Sequence, residues 1–204
     1  MSTFSITING EVYPINLTND SSVTPDTSLA TFIRTKTNYR ATKVSCAEGG
    51  CGACTVALTY VPPGETVPVT RPINSCLAKL LSLNGMTVAT NEYIGNKLIG
   101  YHPIQTKLAE LNGTQCGYCS SGMVMLLYAY LQENPNPTPL EVEQILDGNL
   151  CRCTGYRPIL DTFKSFATST SFGEWQESLS QKKNAVCLPA GEPQPHPSGG
   201  GADP

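Results

Sequence analysis

Charge is scarce in this 204-residue chain: Lys, Arg, Asp and Glu together make up 14% of it, against about 25% in typical soluble domains. The 13 basic residues are outnumbered by 16 acidic ones, and the formal net charge is −3. With a pI of about 5.4, the chain offers no electrostatic footing for nucleic acid or for an acidic membrane surface. Long apolar runs are missing as well. The longest, Met123 to Leu131, has nine residues, far short of the ~20 needed to cross a bilayer, and reads as a buried helix. The stretch from Met1 to Gly10 has neither the basic start nor the apolar core of a secretory signal. Histidine is limited to two residues: His102, a cap or surface residue ahead of Pro103, and His196, in the tail. No substrate pocket with its own acid and base residues is recognisable. A surface so poor in charge is either rich in Ser and Thr or covered by other protein.

Cysteine is what the chain has in quantity. Eight of nine fall into two groups of four, Cys46, Cys51, Cys54 and Cys76, then Cys116, Cys119, Cys151 and Cys153. Without secretion, this density suits a reducing, cytoplasmic compartment and metal ligation better than disulfides. The first group has the C-x4-C-x2-C…C spacing of a plant-type 2Fe-2S ferredoxin. Gly49, Gly50 and Gly52 stand between and beside its cysteines, where glycine lets backbone amides approach sulfur. A four-cysteine zinc site is the competing reading, although zinc commonly takes paired C-x2-C knuckles, unlike C-x4-C or Cys151-Arg152-Cys153. Two 2Fe-2S cores on eight thiolates would bring the formal charge to about −7, which amide donors must help stabilise. The ninth, Cys187, is expected to be a free thiol.

The pattern predicts an α+β chain. Phe4, Ile6 and Ile8, then Asn9-Gly10, then Val12, Pro14-Ile15 and Leu17 predict a β-hairpin. Leu29, Phe32 and Ile33 predict a short helix capped by Asp26 or Thr27. Cys54 to Val61 predicts a strand, Ser75 to Leu83 a helix, and Met86 to Ala89 another strand after Asn84-Gly85. Residues 1–90 are thus expected to form a ferredoxin-like β-grasp domain. Residues 91–170 are expected to form a four-helix domain. Its helices start at Pro103, near Met123, at the Thr138-Pro139-Leu140-Glu141 capping box, and at Pro158. If neighbouring helices run up and down, the loops carrying Cys116/Cys119 and Cys151/Cys153 lie at one end of the bundle, where four ligands can meet. Residues 171–204 read as a Pro/Gly-rich linker or tail.

Three segments carry a family resemblance: Cys46-Ala47-Glu48-Gly49-Gly50-Cys51-Gly52-Ala53-Cys54-Thr55-Val56, Gln115-Cys116-Gly117-Tyr118-Cys119, and Asn149-Leu150-Cys151-Arg152-Cys153-Thr154-Gly155-Tyr156-Arg157-Pro158. Together they closely resemble the iron-sulfur region of the xanthine dehydrogenase/aldehyde oxidase family of molybdenum hydroxylases, over about residues 4 to 168, and look closer to the aldehyde oxidases of animals, insects included. The resemblance implies two 2Fe-2S clusters that pass electrons from a molybdenum-pterin centre to FAD and then to oxygen or NAD. Cys116, Cys119, Cys151 and Cys153 would hold the cluster nearer molybdenum, and Cys46, Cys51, Cys54 and Cys76 the one nearer the flavin. Gln115 and the neighbourhood of Cys153 match pterin contacts. FAD-binding and molybdenum-binding domains or subunits of the same enzyme are the implied partners, in a homodimeric assembly. No such domain fits in the remaining residues, so the chain reads as a small subunit, a truncated product or a fragment that is not catalytic alone. A stand-alone two-cluster ferredoxin-like carrier and a zinc-binding interaction module are the alternatives. Ser120-Ser121-Gly122 departs from the family's Ser/Thr-Pro-Gly, with a serine expected to cap the following helix; Ser45 and Ala47 stand where glycine is common, with little expected harm.

Overall fold

Asn9 and Gly10 turn the chain back on itself with φ of 52° and 85°, the doubly left-handed pair a two-residue hairpin needs. They join β1 (Phe4–Ile8) to β2 (Glu11–Ile15). The computed structural model describes residues 4–16 and 23–168; Leu17 and the predicted tail, with Cys187 and His196, lie outside them. Next come α1 (Leu29–Lys36), β3 (Thr55–Tyr60), β4 (Val69–Asn74) and β5 (Thr87–Ala89). They form a five-stranded sheet of order β2-β1-β5-β3-β4, with β1 and β5 parallel and the other pairs antiparallel. Leu29, Phe32 and Ile33 of α1 pack with Ile6, Ile8, Val56, Leu58 and Val88 to fill one face of it.

Two details differ from the sequence expectation. Ser28, not Asp26 or Thr27, caps α1, its hydroxyl accepting from the Thr31 amide at 3.2 Å. Thr27 instead accepts from the Thr24 amide, and Asp26 pairs with Lys79. The helix predicted over Ser75–Leu83 is a turn followed by one 3₁₀ turn, Leu80–Leu83. Part of its backbone serves α1 and the turn before it: Leu29 N–H donates to Ala78 O, Ala30 N–H to Ser75 O, and Leu80 N–H to Thr27 O. β4 is not among the expected strands, and Pro72 argues against a strand interior there. As the outer strand it tolerates Pro72, which sits opposite Ala57 and has no N–H to donate.

After the single-turn α2 (Asn91–Ile94), also unpredicted, come α3 (Pro103–Glu110), α4 (Ser120–Glu133), α5 (Pro139–Gln144) with its 3₁₀ extension Ile145–Gly148, and α6 (Arg157–Lys164). Capping boxes start α3 at His102 and α5 at Thr138, each with proline in the first turn. α3 packs on α4 and α6, and α5 on α6. No helix of the described residues is long and apolar enough to cross a membrane.

The described residues belong to one compact unit, because α4 lies against β3 and β4 on the sheet face opposite α1. Ala57, pointing away from the α1 side, packs with Met125 and Ala129 of α4. β3 is therefore buried on both faces, and its Thr55, Val56, Ala57 and Leu58 are all inside. Arg71 of β4 pairs with Glu133 at the far end of α4. At the near end, a Cβ on Gly122 would lie 2.2 Å from the Gly52 carbonyl oxygen. Gly122→Ala should therefore lower unfolding stability by about 1–3 kcal/mol through overpacking; an unchanged urea midpoint would show that the contact yields freely.

Candidate metal centre

The first cysteine loop is held at its end by β3, which begins one residue after Cys54, and Cys76 follows β4 after a single intervening residue. Ser75 ties them, its hydroxyl donating to Cys54 O at 2.7 Å. Asn74 braces the loop by donating to Gly49 O at 2.8 Å. Ala47, where glycine is common in the family pattern, takes a left-handed φ of 56°, a conformation that disfavours a side chain. The second set sits on two loops. Cys116 and Cys119 lie between α3 and α4, and Cys151 and Cys153 between the 3₁₀ turn after α5 and the start of α6.

Thiols of each set act on one another. Cys46 is influenced by Cys51, and Cys54 by Cys76 and Cys51. In the second set Cys116 is influenced by Cys153 and Cys151, and Cys119 by Cys151 and Cys116. Members of each predicted set lie near enough to influence one another, Cys116 and Cys153 among them, 37 positions apart in the sequence. Among the described residues no three metal-ligating side chains converge on one ion position.

Each set has an outer and an inner side. The Glu48 amide, donating to Cys46 Sγ at 3.4 Å, draws that thiol down to about 7, helped by Cys51 and the Gly50 amide. The Tyr118 amide and Cys153 likewise lower Cys116. Burial raises Cys54 to about 11 and Cys119 to about 12, reinforced by neighbouring thiols. Burial also pushes Cys151 up, yet the Thr154 hydroxyl at 3.1 Å and amide at 3.5 Å outweigh it, and the net shift is downward. The Cys116 thiol raises Cys153.

The two sets touch through backbone. Leu150 N–H donates to Cys51 O at 2.9 Å, and Tyr118 Oη–H donates to Val44 O at 2.6 Å. Gly52 is left-handed at φ 67°, and a Cβ there would lie 1.8 Å from Asn149 Oδ1. Cys51 shares a cavity of about 220 Å³ with all four cysteines of the second set. A larger hollow, about 410 Å³ beside Gln105 and Val124, contains no cysteine.

Gln115 is exposed next to Cys116, and its side chain has no hydrogen bond among the described residues; Cys116 and Cys153 are exposed with it. Neither serine caps α4. Cys119 occupies the cap position, Ser120 Oγ pairs with Thr114 at 2.7 Å, and Ser121 Oγ is buried without a partner. Sequence reasoning assigned no role to Asn74, Thr154 or Asn149. Thr154, three residues past Cys151, was findable as a local hydroxyl-to-sulfur turn. Asn74 and Asn149 act across long sequence separations that leave no local signal.

Two family models match: a 2Fe-2S iron-sulfur cluster binding domain over residues 16–81 and a [2Fe-2S] binding domain over residues 90–164. Abscisic-aldehyde oxidase of Arabidopsis thaliana is 39% identical over 200 residues, 93% of this chain and 15% of that protein. Xanthine dehydrogenase of Dictyostelium discoideum is 46% identical over 167 residues, 80% of this chain and 12% of that one. The chain thus spans a small fraction of these relatives, and identity does not separate the aldehyde oxidase branch from the xanthine dehydrogenase branch. Among solved structures, aldehyde oxidoreductase from Desulfovibrio gigas superposes with a TM-score of 0.69 at 26% identity, covering 93% of this chain and 19% of that one. Quinoline 2-oxidoreductase from Pseudomonas putida 86 gives 0.62 at 29%, covering 87% and 96%.

In metal-free protein at pH 7.5, Cys46, drawn down to about 7, is largely thiolate, whereas Cys54 and Cys119, at about 11 and 12, stay protonated. Iodoacetamide should therefore label Cys46 well before Cys54 and Cys119, followed by peptide mass spectrometry. Equal labelling rates would contradict the inner and outer arrangement.

Proposed function

We propose that this chain, which belongs to the iron-sulfur region of the xanthine dehydrogenase/aldehyde oxidase family of molybdenum hydroxylases, carries electrons through two 2Fe-2S clusters. The clusters would be held by Cys46, Cys51, Cys54 and Cys76 and by Cys116, Cys119, Cys151 and Cys153. The observation that carries this reading is that the four cysteines of the second set border one hollow together with Cys51 of the first, the two loops being joined by the Leu150 N–H to Cys51 O bond. A 2Fe-2S core takes two thiolates on each iron and, when bound, supplies one-electron storage. Cys46, Cys51, Cys54 and Cys76, and Cys116, Cys119, Cys151 and Cys153, would each supply the four thiolates of one core.

The surroundings fit such a group. Amides of Glu48 and Thr154 already point at cysteine sulfur, and two buried polar atoms beside the sites, Ser121 Oγ and Asn149 Nδ2, lack partners. Burial of Cys54 and Cys119 keeps water from the inner side of each set, and backbone donors stabilise the negative sulfur on the outer side. The exposed side of the second set, with Cys116, Cys153 and Gln115, is where a molybdenum-pterin partner would dock; the first set would deliver electrons toward FAD. The domain division near residue 90, with α3 to α6 as a four-helix unit, belongs to the same reading. So do cytoplasmic location, FAD- and molybdenum-binding partner domains, and a homodimeric complete enzyme. The contacts of α3 with α4 and α6 support the helical unit.

The full chain expressed with iron should absorb in the visible and show two EPR signals after dithionite reduction. Colourless, zinc-loaded protein would sink the proposal. Cys153→Ala should remove one signal and spare the other, whereas loss of both from folded protein would contradict separate clusters. Gln115→Ala should leave both clusters loaded and slow electron transfer several-fold in a complex reconstituted with the molybdenum partner; an unchanged rate would remove Gln115 from the contact.

A further inference from the structure

Asn149 comes from the second cysteine loop, yet its side chain is spent on the first. It is 4% exposed, and its amide rests on Gly52, between Cys51 and Cys54, so closely that a Cβ there would fall 1.8 Å from Oδ1 and 2.3 Å from Cγ. Its backbone is pinned on both sides: Asn149 N–H donates to Leu146 O at 3.0 Å, and Leu150 N–H donates to Cys51 O at 2.9 Å. Nδ2 is fully buried and has no hydrogen-bond partner. Burying an amide donor unpaired costs about 1–3 kcal/mol, and an orphan of this kind in a well-packed place calls for an acceptor.

No oxygen and no cysteine sulfur of the described residues is a partner of Nδ2. Inorganic sulfide of a cluster held at the Cys51–Cys54 loop would supply the acceptor. We propose that Asn149 is a positioning residue for the first cluster, its Nδ2–H donating to sulfur held at that loop and raising that cluster's reduction potential relative to the second. The proposal rests on the two-cluster reading above. Its physics is general: a donor to sulfur stabilises the more negative, reduced core more than the oxidised one. The consequence is specific to this fold. One loop both contributes Cys151 and Cys153 to the second site and tunes the first, so the order of potentials along the path is set where the two loops touch.

The test is a redox titration of the full chain, following both reduced-state EPR signals, assigned with Cys153→Ala, in the unmodified protein and in Asn149→Leu, which keeps the volume and removes the donor. Asn149→Ala is titrated in parallel, because it cannot crowd Gly52 if leucine prevents loading. The first cluster's reduction equilibrium should become about tenfold less favourable, a fall of about 59 mV for one electron, with the second cluster's midpoint moving much less. An unchanged first-cluster midpoint in a variant that retains both clusters would overturn the proposal and assign Nδ2 to a buried water. Equal falls in both clusters would overturn it too, marking a general structural role. Unmodified protein without iron-sulfur signals would instead sink the functional reading on which it rests.

Discussion

The close approach of the two cysteine loops is the constraint on which the rest of the structure depends. Its core is one backbone hydrogen bond, Leu150 N–H to Cys51 O at 2.9 Å, and it exists only because side chains are missing on both sides. Gly52 leaves room for Asn149, and Gly122 lets the start of α4 settle on the Gly52 carbonyl. The loops are short extensions of rigid elements: β3 starts right after Cys54, α4 right after Cys119, and α6 follows Cys153 closely. A shift of helix against sheet would therefore be felt directly as a change in spacing between the two thiol sets. The packing of Ala57 on Met125 and Ala129 and the Arg71–Glu133 pair hold that spacing from the far end of α4.

Local surroundings divide the thiols. Cys46 and Cys116 face amide donors and lose their protons more readily, burial raises Cys54 and Cys119, and in the second set buried Cys151 is drawn down by Thr154 while exposed Cys153 is raised by Cys116. Thiolate ligation at Cys54 and Cys119 would have to expel the protons that burial holds there, so metal loading would depend on pH. In a chain with few charged residues, the amides of Glu48, Tyr118 and Thr154 help to stabilise negative sulfur at Cys46, Cys116 and Cys151.

Local signals in the sequence were reliable where the structure uses local interactions. Asn9-Gly10 made the hairpin, and the proline after His102 and the Thr138-Pro139-Leu140-Glu141 box started helices where expected. They failed where a segment gives its hydrogen bonds to something distant. Ser75–Leu83 looked helical but gives Ser75 O and Ala78 O to α1 and the Leu80 amide to Thr27 O, and Val69–Asn74, for which no element was expected, is an outer strand that tolerates Pro72. Ser28 took the cap from its neighbours because Asp26 and Thr27 were engaged elsewhere.

Cysteine identity and spacing by themselves determined which eight residues form two sets, and the motif residues around them determined the family, because ligand chemistry and tight turns are written in residue type over a few positions. What only the tertiary structure decided is how the sets relate: that Cys51 borders the cavity of the second set, and that Asn149 reaches across to Gly52. Those contacts join residues nearly a hundred positions apart through backbone atoms, which all residues share, and through the absence of side chains at Gly52 and Gly122. Neither leaves a mark in composition or period. The proximity of the two cysteine sets was settled by how α4 packs on the sheet.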